Sequence, residues 1–337
     1  MASPRIQRFG KTAQGAVVDA VNIAAGDIRA TILTYGATIQ SLRLGGTDWP
    51  MILGAPTLAP YEAALRYTGA IVGPVANRIA GARAVLDGRT FRFDPNEAGK
   101  TTLHGGTDGT HNQIWQIVDA NDSDVQLALD LANGFGGFPG RRRIVARFLA
   151  APPADLVLTI SAESDAPTWF NLANHCYWNL DGRATTAGHR LRVPADRYLP
   201  LGPDLTPSGP PAAVAGTDFD LRQPVSLRDA PRYDHNFCLA DGHRLPALAA
   251  ELVGLSGHRL RIDSTLPGLQ IYDGANLSSG GAPGLLGRPY SPFAGIALEP
   301  QDWPDAPNRP DFPTVTYRPG ETYRQMTRFR LDRLPAA

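Results

Sequence analysis

Acid–base chemistry needs an imidazole or a carboxylate held partly out of water, and two stretches of this chain offer one each. Asn171-Leu172-Ala173-Asn174-His175-Cys176-Tyr177-Trp178-Asn179-Leu180 sets three asparagines and a histidine among aromatic and apolar residues. An unpaired buried polar group costs roughly 1–3 kcal/mol, so this composition suits the wall of a wet, shaped pocket. His175 can exchange a proton near neutral pH; the competing reading is a hydrogen-bonded core histidine. Gly295-Ile296-Ala297-Leu298-Glu299-Pro300-Gln301 ends an apolar, strand-like run in a carboxylate, and Pro300 cannot donate to a continuing ladder. A glutamate emerging from a core strand into a pocket loses solvation, which raises its pKa and makes it a better base. An edge-strand salt bridge is the alternative there.

Three further stretches carry ionisable groups beside small or apolar neighbours. His104 precedes Gly105-Gly106, where the backbone can approach a ligand closely, unless the ring only closes its own turn. Arg78 lies within Ala76-Asn77-Arg78-Ile79-Ala80, a guanidinium fork suited to polar ligand groups or to a structural ion pair. Asp234 lies between aromatics in Tyr233-Asp234-His235-Asn236-Phe237, as a ligand contact or as a strand-end residue held by a turn.

The elements that must position these groups read almost entirely as strands. Ile28–Leu33, Val125–Asp130, Leu156–Ile160, Arg141–Phe148 and His258–Ile262 are short, rich in β-branched residues and at least partly alternating. Turn signals separate such runs at Gly45-Gly46, Asp87-Gly88, Asn133-Gly134, Asp181-Gly182 and Asp241-Gly242. The only helical pattern is Leu58–Leu65, two turns with Pro60 suited to the start. Arg141-Arg142-Arg143 reads as a solvated hairpin arm, and Pro200–Pro211 as an ordered loop. The lack of alternating strand and helix units argues against a parallel α/β sheet, so the expectation is all-β: one large antiparallel β-sandwich spanning residues 1–337 as a single domain.

Composition removes several functions. Lys+Arg and Asp+Glu balance at 32 each, which lacks the basic excess of a nucleic-acid or anionic-membrane surface. Two cysteines make no disulfide framework, no apolar run is long enough to span a bilayer, and the N-terminus lacks a secretory core. A soluble, cytoplasmic protein is expected. Phosphate-loop, dinucleotide-binding and Gly-x-Ser-x-Gly motifs are missing, as are metal-ligand spacings, so neither metal nor cofactor is expected.

In their order along the chain these stretches resemble the aldose 1-epimerases, or galactose mutarotases. The match includes Gly73-Pro74-Val75-Ala76-Asn77-Arg78-Ile79, Leu103-His104-Gly105-Gly106 and Gly136-Gly137-Phe138-Pro139-Gly140. It continues through the stretches around His175 and Asp234 to Pro267-Gly268-Leu269-Gln270-Ile271-Tyr272, Leu298-Glu299-Pro300-Gln301, Pro304-Asp305-Ala306-Pro307-Asn308 and Arg318-Pro319-Gly320-Glu321-Thr322-Tyr323. The resemblance implies a galactose-mutarotase-like supersandwich, with Glu299 as proton acceptor, His175 as proton donor and His104 as second active-site histidine. It implies that Asn77, Arg78, Asp234 and Gln270 hold the sugar, with Tyr177 close to the donor. Pro74, Cys176, Trp178, Trp303 and Asp273-Gly274-Ala275-Asn276 depart from the family's usual residues, which bears on the preferred sugar and not on the proton-transfer groups.

The implied reaction interconverts the α- and β-anomers of a free monosaccharide by opening and reclosing its hemiacetal ring, without cofactor, in a monomer or homodimer. Trp178, Phe293 or Trp303 would pack on the apolar sugar face. Rival readings are a hexose-phosphate epimerase using Arg83, Arg89 and Arg92 as phosphate-holding cations, a sugar lactonase, and a carbohydrate-binding protein without activity.

Overall fold

Alternation of side chains along paired strands decides which residues of this protein meet. The computed structural model describes residues 5–227 and 232–335, and its regular elements there are strands and five short 3-10 turns. The expected all-β antiparallel architecture is what is observed. A nine-stranded sheet runs Gln116–Ala120, Asp124–Leu131, Arg142–Ala151, Asp155–Ser164, Tyr323–Arg333, His258–Ser264, Ala247–Val253, Arg190–Arg192, Val225–Ser226. The last long strand of the chain therefore sits at its centre. Arg142–Ala151 and Asp155–Ser164 pair in unbroken register from Arg142↔Ser164 to Ala151↔Asp155, and burial alternates along both. Ile144, Ala146 and Phe148 face inward and Arg143 and Arg147 face solvent, the period-two pattern of a half-buried sheet.

Two further sheets pack against that face. Arg5–Lys11, Val17–Ala25, Ile28–Leu33 and Thr38–Leu44 form a four-stranded meander whose Val21, Ile23, Ile28 and Ile32 share one core cluster with Leu127, Ile144 and Phe148. A six-stranded sheet runs Tyr177–Trp178, Ile296–Gln301, Gly268–Tyr272, Asp234–Cys238, Arg197–Tyr198, Ala212–Ala213. Trp178, Ile296, Leu298, Leu269, Ile271 and Phe237 project from it into the same cluster, with Trp178 tilted on Phe329 at 5.2 Å. Each such buried side chain contributes about 1.5–3 kcal/mol. Residues an odd number of positions away on the same strands must then project from the opposite face, and among them are Tyr177, Glu299, Gln270 and Asp234.

Two local expectations are corrected. Leu58–Leu65 forms no two-turn helix: only Ala59–Glu62 is helical, as a 3-10 turn opened by Pro60. Arg141-Arg142-Arg143 is not a uniformly solvated arm. Arg142 is 1% exposed and donates to the carbonyls of Gly140, Ala132 and Phe135, which closes the loop after Leu131; burial pushes its pKa down to about 10. Only Arg141 and Arg143 reach solvent, bonded to Asp165 and Asp130. The Pro200–Pro211 segment is ordered, with Leu201 bridged to Pro207.

Candidate active site

The polar face of the six-stranded sheet forms one wall of a cavity of about 320 Å³. Register puts the wall together: Gln270 lies opposite Glu299, Tyr272 opposite both Ala297 and Asp234, and Tyr177 opposite Ala297. Residues paired across antiparallel strands share a face, so Glu299, Gln270, Asp234 and Tyr177 point the same way although they are far apart in sequence. Asp234 Oδ1 accepts from Gln270 Nε2 at 2.7 Å.

Loops supply the facing wall. His175 follows a short pairing of Ala173–Asn174 with Ile71–Val72, and its main chain is fixed by its N–H to the Ala70 carbonyl and its carbonyl to the Gly69 N–H. Arg78–Ile79 pairs with Thr102–Leu103, which carries His104 alongside Asn77. Both residues have left-handed backbone, φ 54° at His104 and 59° at Asn77, a strained conformation that persists where the surroundings impose it. Gly105 follows at φ 82°, and a Cβ there would lie 2.1 Å from the Gly73 carbonyl oxygen, so only glycine fits.

The structure brings all eight sequence-derived site residues to this cavity: Asn77, Arg78, His104, His175, Tyr177, Asp234, Gln270 and Glu299 all line it. His175 Nε2 and Glu299 Oε1 are 3.6 Å apart, too long for a direct hydrogen bond, and Glu299 Oε2 has no partner. Burial pushes the Glu299 pKa well above the ordinary carboxylate value, reinforced by the Asp234 charge and opposed by Arg78. Burial pushes His175 down to about 4. Both effects favour the neutral forms of the pair.

His104 is held differently. Its Nδ1 accepts the Asn77 main-chain N–H at 3.1 Å, so the ring proton is on Nε2 and that nitrogen is a donor. Burial and the neighbouring His175, His111 and Arg78 charges lower its pKa well below the usual histidine value. His104, His175 and Glu299 each offer one potential ligand atom within 4.8 Å of the others. That trio does not fit a metal ion, because one nitrogen of His104 is occupied by Asn77 and the other carries hydrogen.

Several lining residues escape sequence reasoning. Tyr67 packs on His104 and His111 at 4.7 Å and on His175 at 6.0 Å. Tyr272, Leu205, Asn276 and Glu97 also line the cavity. None of the three aromatics expected on the sugar face does so. Trp178 is fully buried in the core, Trp303 is buried against Phe312, and Phe293 lies under Arg232. The aromatic surfaces of the site are tyrosines. Arg83, Arg89 and Arg92 occupy the exposed hairpin Arg83–Leu86/Arg89–Arg92 and stay outside the cavity. A larger cavity of about 560 Å³, on the nine-stranded sheet around Met326, contains none of the eight residues.

A family model described as "Aldose 1-epimerase" matches residues 19–330. The chain belongs to the aldose 1-epimerase family. It is thereby an isomerase. It is 34% identical to a galactose mutarotase of Rattus norvegicus, over 94% of this chain and 95% of the relative. It is also 34% identical to an aldose 1-epimerase of Escherichia coli, over 89% and 91%. Among solved structures, an aldose epimerase homologue from C. elegans superposes with TM-score 0.85 at 29% identity, covering 94% of this chain and 99% of that one. A Lactobacillus acidophilus galactose 1-epimerase, at 23% identity and TM-score 0.82, shares the fold. The supersandwich expectation therefore holds. Among the described residues no helix is long and apolar enough to cross a membrane.

Proposed function

We propose that this family member interconverts the α- and β-anomers of a free aldose, with Glu299 and His175 as the proton-transfer pair. One observation carries the reading: the 3.6 Å gap between His175 Nε2 and Glu299 Oε1, in a site where both are buried. Opening a cyclic hemiacetal requires proton removal from one oxygen of C1 and proton delivery to the other. Two oxygens on a single carbon need an acid and a base set close together, each within hydrogen-bond reach.

The protons balance in a simple cycle. Ionised Glu299 takes the C1-hydroxyl proton, the C1–O5 bond breaks with its electron pair moving to the ring oxygen, and protonated His175 supplies the proton that oxygen gains. The sugar is then an open-chain aldehyde, Glu299 is neutral and His175 is neutral. Rotation about C1–C2 presents the other carbonyl face, and the reverse transfers close the ring as the second anomer. The His104 Nε2–H donates near the ring oxygen and limits charge build-up there. Burial favours the neutral pair, the protonation state that accompanies the open chain, so once the ionised pair has met the sugar both proton transfers run towards opening. Arg78, Asp234, Asn77 and Gln270 pair with sugar hydroxyls, while Tyr67, Tyr177 or Tyr272 covers an apolar face.

A phosphorylated sugar fits less well. The cavity wall carries Glu97, Asp234 and Glu299 against a single guanidinium, and Arg78 is already engaged by Glu97. Relatives named galactose mutarotase make galactose the first sugar to test. Polarimetry of a freshly dissolved single anomer, with and without catalytic amounts of protein, tests the proposal, with glucose, arabinose, xylose and a hexose 6-phosphate in parallel. Decay to the anomeric equilibrium no faster than the buffer blank would overturn it.

A further inference from the structure

We propose that Glu97 is a positioning residue whose clamp on Arg78 keeps Asp234 free to receive a sugar hydroxyl. The inference rests on the anomerase reading above and extends it to a residue outside the proton-transfer pair. Arg78 is buried, and its Nε and Nη2 donate side-on to the two oxygens of Glu97 at 2.7 and 2.8 Å. That bidentate arrangement fixes the plane of the guanidinium. The third nitrogen, Nη1, is left 3.5 Å from Asp234 Oδ2, near enough to attract it and too far for a strong bond. The other Asp234 oxygen is already bonded to Gln270.

The clamp is itself held. Thr101 Oγ1 donates to Glu97 Oε2 at 2.7 Å, and the main chains of Glu97 and Thr101 exchange hydrogen bonds at 3.2 and 3.3 Å. This small loop folds back from Thr102–Leu103, the strand that pairs with Arg78–Ile79, so one turn of chain delivers both Glu97 and His104 to the cavity. Without Glu97, the nearest acid to Arg78 is Asp234. The guanidinium would close the 3.5 Å gap and draw Asp234 away from Gln270, filling the space in which a sugar hydroxyl would pair with both. Glu97 thus acts through Arg78, as a competitor that holds two binding groups apart.

Removing it also alters the charge around the proton-transfer pair. Among the described residues, the charged or titratable groups around Glu299 are His175, His104, Cys176, Tyr177, Asp234 and Arg78. Loss of the Glu97 charge leaves the Arg78 charge less compensated. That favours the deprotonated pair, so both apparent pKa values of the Glu299–His175 couple should move to lower pH.

The test is anomerisation kinetics of the full-length chain on its best free aldose, for wild type, Thr101→Val, Glu97→Gln and Glu97→Ala. KM should rise in that order, by about twofold, about fivefold and tenfold or more, with kcat kept within about threefold, the signature of lost substrate binding. The limbs of the kcat/KM–pH profile of Glu97→Ala should shift to lower pH by about half a unit, while Thr101→Val leaves them in place because it removes no charge. A KM unchanged within about twofold in all three variants overturns the inference. So does a joint fall of kcat and melting temperature with unmoved pH limbs, which would make Glu97 a support of the fold alone. Should Glu97→Ala not fold, the graded KM of the other two decides. A wild-type protein without anomerase activity would instead overturn the functional reading itself, and this inference with it.

Discussion

Glu299→Gln separates the chemistry of this carboxylate from its shape. The amide has nearly the same volume but cannot take a proton at neutral pH. Positioned acid–base groups contribute about 10²–10⁴-fold, and anomerisation should fall by that factor while sugar binding through Arg78, Asp234 and Gln270 persists. The same change should stabilise the fold. Glu299 is 1% exposed, its Oε2 has no partner, and its Oε1 stands 3.6 Å from the nearest imidazole nitrogen. An unsatisfied buried polar group costs about 1–3 kcal/mol, more when charged. At roughly 2 °C per kcal/mol for a chain of this size, the melting temperature should rise by several degrees. The pH dependence has a definite sign. Burial raises the folded-state pKa of Glu299 above its unfolded value. The stabilisation belonging to its protonated form is therefore complete below the unfolded value and is lost as pH rises through the folded one. The advantage of the glutamine variant should accordingly widen towards alkaline pH. Polarimetry on a fresh anomer and thermal melts across a pH series measure both effects. Retention of more than about a tenth of wild-type kcat/KM would refute the acceptor role, since a working general base supplies more than that. A variant melting below wild type at every pH would refute the burial reasoning.

Other outcomes follow from the same geometry. His175→Asn should lose about two orders of magnitude in turnover or more, measured by the same polarimetric decay. Burial holds the folded pKa of His175 at about 4 and that of His111 at about 3, below their unfolded values. These two histidines therefore withdraw stability as pH drops from about 6.5 towards 4, opposite in sign to Glu299, and His175→Asn should remove its share of that loss, so that its melting temperature relative to wild type rises towards acid pH. Gly105→Ala puts a methyl 2.1 Å from the Gly73 carbonyl at φ 82°. It should cost about 1–3 kcal/mol in chemical denaturation and displace His104, with a parallel loss of activity.

Much of the site could be read from residue types because its wall is buried on both faces. Glu299 stood out as a charge at the end of an apolar run, and His175 as an imidazole among asparagines and aromatics. Gln270 and Tyr177 carried no such contrast, since Leu269, Ile271 and Trp178 beside them belong to the core and the register that turns them inward is set by long-range pairing. They were legible only through resemblance to a family. Glu97 and Tyr67 gave no sequence signal, because each acts through a contact made only in the fold. Arg142 misled in the opposite direction: flanked by two arginines it looked solvated, yet strand alternation turns it inward onto loop carbonyls. The long strands were readable from β-branched alternation, whereas two-residue strands such as Arg78–Ile79 are defined by their partners alone.

The nitrogen that dictates where His104 keeps its hydrogen belongs to the main chain at position 77. Apart from proline, which lacks the N–H, no exchange of side chain at that position can withdraw it. A lineage could trade the asparagine amide for glycine, which tolerates the same left-handed turn, and so admit a differently decorated ligand, while the imidazole stayed polarised as before. Taste for ligands is free to drift there; only a rerouting of the chain itself would scramble the chemistry.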